Sequence, residues 1–192
     1  MSVVLIVLLV IIAIIVICAI WFISVRNGLV GARNQVEEAY STMDVYLKKR
    51  YDLIPNLVET VKGYAHHESD TLEKVIAARN TAMSTSSDDM EAKLKNESQL
   101  SGTLKTLFAV AEAYPDLKAN QNFIDLQEQL KSIEEDIANA RKYYNGTVRA
   151  YNNKVEMFPG SVIAGMSGFT RKPYFEVDSA EERQNVKVSF DN

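Results

Sequence analysis

Apolar residues occupy every position from Val3 to Ile23, whereas from Leu29 onward they recur only every third or fourth residue. The first block, "VVLIVLLVIIAIIVICAIWFI", has 21 residues; as a helix it is about 32 Å long, the thickness of a bilayer's hydrocarbon core. It predicts a membrane-spanning helix. No basic stretch precedes it and no small-residue cleavage site follows, so it does not read as a secretory leader. The bulky "IVI" before Cys18 likewise argues against a lipidated cysteine. A core helix apolar on all sides would need a larger protein around it.

After the span, Leu29, Ala32, Val36, Tyr40, Met43, Leu47, Tyr51, Ile54, Val58, Val61 and Ala65 keep a spacing of three and four, one stripe of a long helix. The membrane helix is expected to run on into it. A second helical segment opens near "HESDTLEK", with Ser69 or Asp70 as N-cap and Leu72, Ile76, Arg79 and Met83 on one face. "STSSDD" marks a loop. A third segment places Met90, Leu94, Leu100, Leu104, Leu107, Ala111 and Tyr114 in register and stops before Pro115. The fourth carries Phe123, Leu126, Leu130, Ile133, Ile137, Ala140, Tyr144, Val148, Tyr151 and Val155, and ends before "FPG". Such stripes are hidden best by packing against one another, antiparallel where helices are similar in length.

The pattern changes at "PGSVIAGMSGF", and "PYFEV" and "NVKVSF" alternate like two short strands. The chain is therefore expected to be all-α. It divides into a transmembrane helix over 1–25, an elongated antiparallel three- to four-helix bundle over 26–158, and a Gly-rich turn with a short C-terminal β-hairpin-like tail over 159–192. The tail is expected to pack on the bundle or to form an oligomer contact.

Charge adds an orientation. No Lys or Arg precedes the span, while Arg26 and Arg33 follow it closely, so the helical domain is expected in the cytoplasm, beneath the inner membrane, with the N-terminus outside. All 21 basic and 25 acidic residues follow the span, leaving the remainder at −4 with no basic run, which argues against nucleic acid as a partner. Cys18, the only cysteine, excludes an internal disulfide and a thiolate zinc site.

Pro55 lies inside the first stripe. Its missing N–H orphans the carbonyl of Tyr51, at a cost of about 3 kcal/mol in a regular helix. Either the helix kinks, or it breaks and restarts with Asp52 as N-cap. The stripe keeps its phase through the proline, which favours a kink. Adjacent His66 and His67 point about 100° apart on a helix and do not share an ion. Glu134, Glu135 and Asp136 run consecutively around a polar face, and no nucleophile–base set or phosphate loop occurs. Arg79 and Arg141 interrupt apolar surroundings and suggest internal ion pairs with Glu59, Glu68 or Glu134. No catalytic, cofactor-binding or metal-binding residue is assigned, and no enzyme activity is expected.

The order of "RNQV", "LKKRYDLIPNLVETVKGYAHHE", "AYPDLKANQNFIDLQEQL", "EEDIANARKYYNGTVRAYNNKVEMFPG" and "YFEV…VKVSF" resembles the bacterial LemA family over essentially the whole chain after the span. Tyr40 and Arg26 stand where many relatives carry Trp and Tyr. The resemblance implies a single-pass membrane protein with a long helical bundle and no catalytic residues. It also implies links to membrane remodelling such as magnetosome formation, and to neighbouring membrane zinc proteases. The expected function is a membrane-anchored scaffold or adaptor that self-associates laterally, its partners being the lipid bilayer, further copies of itself, and a membrane protease or other membrane protein. The alternative is a tethered sensor whose bundle responds to a ligand through the Pro55 kink.

Overall fold

The structure, a computed structural model, describes residues 3–86 and 89–175. Six helices are seen among them: α1 (Val3–Lys62), α2 (Ser69–Ser84), α3 (Met90–Ala111), α4 (Pro115–Lys118), α5 (Gln121–Glu156) and α6 (Gly160–Ser167). The described residues form two compact units, one of residues 3–49 and 131–174, the other of 50–86, 89–130 and 175.

α1 is a single helix of 60 residues, so the apolar segment and the first amphipathic stripe are one element. Residues Val3 to Trp21 are exposed all round. From Leu29 the stripe turns inward: Leu29, Ala32, Val36, Ala39, Met43 and Leu47 are buried in the first unit with Ile137, Ala140, Tyr144, Val148 and Tyr151 of α5. Burying each large apolar side chain contributes roughly 1.5–3 kcal/mol. The two helices run antiparallel, since Tyr40 stacks edge-on against Tyr144 at 5.9 Å while Lys154, ten residues further along α5, donates to the carbonyl of Gly28 at 3.4 Å.

The expected Gly-rich turn after "FPG" is instead α6. Gly160 is required there because a Cβ would lie 2.1 Å from the Lys154 carbonyl oxygen. Ile163 and Ala164 bury against Leu29, with Phe22, Val25, Val155 and Phe169 around them. Gly168 ends the helix at φ 72°, and the amide N–H groups of Gly168 and Phe169 both donate to the Ala164 carbonyl, a Schellman-type stop. Glycine and small residues hid this helix from the sequence pattern, because α6 lies too close to α5 to carry large side chains at its start.

The C-terminal β-hairpin is not supported. Among the described residues there is no strand, and Pro173–Phe175 run without a ladder; the remainder of "PYFEV" and all of "NVKVSF" lie outside the described residues. The tail's backbone polar groups are taken up by α5. The Tyr144 hydroxyl donates to the Pro173 carbonyl at 3.0 Å and that of Tyr151 to the Thr170 carbonyl at 2.9 Å. Buried Asn152 donates to the Lys172 carbonyl and accepts from its N–H, both at 2.9 Å. An amide side chain thus supplies the paired bonds that a neighbouring strand would have made.

In the second unit α1, α2, α3 and the start of α5 form antiparallel hairpins. Tyr51 meets Arg79 and Ala82 of α2, Glu68 before α2 meets Tyr114 after α3, and Phe108 packs edge-on against Phe123 at 6.2 Å. The buried face of α2 is Leu72, Val75, Ala78 and Ala82, not the expected line through Ile76 and Met83; Met83 is exposed. Alanines take the contact positions because they allow close helix approach. Glu68 occupies the N-cap of α2 and makes no side-chain capping bond there, whereas Asp89 caps α3 by accepting from the Ala92 N–H at 3.0 Å.

Gly160→Ala is expected to cost about 1–3 kcal/mol, read as a lower Tm by circular dichroism of the detergent-solubilised chain. Gly165→Ala, which meets nothing within 4 Å, is expected to be neutral or to stabilise by up to about 1 kcal/mol. Burial, and secondarily the charge that Tyr40 would carry, pushes the Tyr144 phenol from 10.0 up to about 12. The folded state thus holds this proton more tightly than the unfolded one: the stabilisation is complete below pH 10 and is lost as pH rises towards 12. Denaturant titrations across that window should show the decline, and Tyr144→Phe should make it shallower.

Candidate functional site

The buried charged side chains among the described residues gather one turn before Pro55, where α1, α2 and α3 meet. Arg50, Tyr51, Lys93 and Glu97 are all buried. Glu97 accepts from the Arg50 guanidinium and from the Tyr51 hydroxyl. Lys93 Nζ donates to the Tyr51 hydroxyl at 3.2 Å and to the Ala82 carbonyl at 3.1 Å, and lies 3.7 Å from Glu97 Oε1. Arg50 also donates to the Ser101 hydroxyl at 3.0 Å. Burying such charges is tolerable only with this degree of pairing; removing one partner strands the others.

The second half of the cluster answers the proline. α1 passes through Pro55 without interruption and does not restart at Asp52. The Tyr51 carbonyl, which has no N–H to receive from position 55, accepts instead from Arg79 Nε at 2.7 Å. Arg79 is half-buried, and its Nη1 is held by the Asn80 side chain at 3.0 Å. A charged hydrogen bond of this kind contributes about 1.5–3 kcal/mol, of the same order as the helix bond that proline removes. The expected partners of Arg79 are therefore corrected. Glu59 pairs on the surface with Lys62 at 3.6 Å, and Glu68 accepts from Tyr114 at 3.2 Å. That contact, after burial, raises the Tyr114 phenol above its ordinary value.

Lys93 and Glu97 were not singled out from the sequence, although a signal was present. The expected register jumped six positions, from Leu94 to Leu100; the observed one runs Met90, Lys93, Glu97, Leu100, Leu104, Leu107, Ala111, in steps of three and four. Glu97 fills the gap and Lys93 takes the place assigned to Leu94, so the break in the stripe marks a buried ionic pair. Hydrophobicity alone passed over it.

The other candidates lie apart from the cluster. His66 and His67 are exposed in the turn between α1 and α2, Glu135 is exposed, and Glu134, Asp136 and Arg141 are half-buried on α5. Among the described residues no group of three or more His, Cys, Asp or Glu side chains is placed to hold a metal ion. Beside the cluster, a cavity of about 600 Å³ between α1 and α2 is lined by Val58, Glu59, His66, Glu73, Ile76 and Asn80. Its mixed lining suits a small polar ligand. The buried cluster, by contrast, is built to hold three helices in one alignment.

An exposed apolar N-terminal helix continuous with a helical bundle defines a membrane-anchored helical protein. A sequence model of the LemA family matches residues 39–190, and the chain belongs to that family. It is 24% identical over 168 residues to Protein LemA of Metamycoplasma hominis, covering 88% of this chain and 76% of that protein. It is 24% identical over 174 residues to Magnetosome protein MamQ 2 of Paramagnetospirillum magneticum, and 23% over 173 residues to Magnetosome protein MamQ of Magnetospirillum gryphiswaldense. Each of these matches covers 78% of this chain and 64% of the relative.

If Arg79 replaces the missing N–H, its loss and that of Pro55 must be coupled. Arg79→Leu is expected to cost about 1–3 kcal/mol by leaving the Tyr51 carbonyl unpaired. In a Pro55→Ala background, where position 55 regains its N–H, the cost should fall substantially. Denaturant unfolding of the four proteins in a double-mutant cycle measures the difference, and simple additivity would show that the two residues act separately.

Proposed function

We propose that the protein is a membrane-anchored scaffold or adaptor, without catalytic activity, whose helical bundles self-associate laterally on the cytoplasmic face of a bacterial inner membrane. The observation that carries this reading is the unbroken passage of α1 from a segment exposed on all sides, Val3–Trp21, into the packed core at Leu29–Leu47. A rigid stem of this kind fixes the bundle at the membrane and concentrates copies in two dimensions, so that modest contacts suffice for assembly. Arg26 and Arg33 directly after the span favour the cytoplasmic side. Magnetosome proteins among the relatives are consistent with a role in organising membrane structures. The ionisable groups at Arg50, Lys93 and Glu97 are buried and mutually paired, an arrangement suited to holding helices in place.

A second reading is favoured by the cavity between α1 and α2 and its closeness to Asn80, the partner of Arg79. A ligand there would bias the Arg79–Tyr51 contact and, through Pro55, the course of α1. The two readings separate experimentally. Native mass measurement of the full chain in mild detergent is expected to give a defined multimer, and a monomer at high concentration ends the scaffold reading. A saturable ligand that raises Tm in the parent but not in Arg79→Leu would favour the sensor.

A further inference from the structure

We propose that α6 is a second membrane element, lying in the bilayer interface at the foot of the span with Phe158, Val162 and Met166 turned into the lipid. The sequence of α6, "GSVIAGMS", has no charged residue. One side of the helix, Gly160, Ile163 and Ala164, is buried in the protein. The opposite side is apolar as well, with Val162 53% and Met166 74% exposed, and the turn leading into the helix adds Met157 at 64% and Phe158 at 82%. A helix apolar on both sides belongs in apolar surroundings on both sides, and side chains grouped on one face in this way form a patch that soluble surfaces rarely present.

The position of the patch identifies what covers it. Ile163 and Ala164 form a core with Leu29, against which Phe22 and Val25 pack, and Phe22 belongs to the last turn of the apolar segment. The exposed face of α6 therefore lies at the level where α1 leaves the hydrocarbon, continuous with the lipid-facing surface of the span. An apolar cavity of about 330 Å³, lined by Val25, Gly28, Leu29, Met157, Phe158 and Pro159, lies at the same level. Basic groups stand at the same level. Arg26 follows Val25, and Lys154 reaches the Gly28 carbonyl at 3.4 Å. Apolar side chains at the acyl boundary with cations at the headgroup level are the arrangement of an interfacial helix. Backbone outside a regular helix does not survive facing hydrocarbon, so the Met157–Pro159 turn belongs at the interface and not deeper. Two attachments on one side of the first unit would fix its tilt, which a single stem leaves free. The inference uses the membrane anchor only and does not depend on self-association.

The test places single tryptophan reporters in the full chain, reconstituted in phosphatidylcholine–phosphatidylglycerol vesicles, in a Trp21→Phe background. Phe158→Trp and Val162→Trp are made separately, so that a folding defect in one leaves the other informative, and Glu73→Trp on α2 serves as the reference. At positions 158 and 162 the emission is expected to shift to shorter wavelength. It should lose at least about half its intensity to lipids brominated on the acyl chains and resist aqueous acrylamide; position 73 should behave oppositely. Emission quenched by acrylamide and untouched by bromolipid would overturn the proposal by placing α6 in water. Short-wavelength emission untouched by either quencher would overturn it in favour of a second copy of the protein covering the patch.

Discussion

A helix of 60 residues that begins apolar on all sides and continues apolar on one stripe has to satisfy two solvents in succession. Lipid accepts any apolar surface, so the first part of α1 is constrained only by length and hydrophobicity. Past Val25 that freedom ends: the stripe from Leu29 must find protein, and α5 supplies it in the first unit. Where the two regimes join, neither solvent is sufficient by itself. There α6 and Phe169 close over Leu29 while Met157, Phe158, Val162 and Met166 remain uncovered by protein.

The second unit shows what a long helix requires when its hydrogen-bond ladder is broken from within. Pro55 removes one donor, and a side chain from the neighbouring helix replaces it. Around that replacement stand Arg50, Tyr51, Lys93 and Glu97, each satisfied by another or by a carbonyl of α2. Apolar packing tolerates small slides between helices, because one methyl group substitutes for another. Directional, charged bonds do not, and this cluster accordingly sets the alignment of α1, α2 and α3. The same distinction separates the scaffold reading, in which the cluster is a lock, from the sensor reading, in which it is a hinge.

The tail illustrates how polar backbone is accommodated without secondary structure. Alternating apolar residues in "PYFEV" predict a strand, yet the chain leading into it, Thr170 to Pro173, lies along α5, with hydroxyl and amide side chains serving the carbonyls of Thr170, Lys172 and Pro173. A free strand edge, which would have offered a route to assembly, is not present in that part.

Length, hydrophobic periodicity and composition determined the anchor, the all-helical bundle, the stripes on α1 and α5 and the persistence of helix through Pro55, because each follows from local geometry repeated over many residues. They also located the difficulty at the Tyr51 carbonyl, though not its solution. What relieves it is Arg79, 28 residues away in sequence, and no local rule selects one arginine over another. The shifted face of α2, the ionic pair in the stripe of α3 and the helix hidden in "GSVIAGMS" were decided in the same way. Close approach favoured alanine and glycine over larger side chains, and charges could be buried only where partners from other helices already stood. Such pairings exist only once the chain has folded back on itself, which is why tertiary structure settled them.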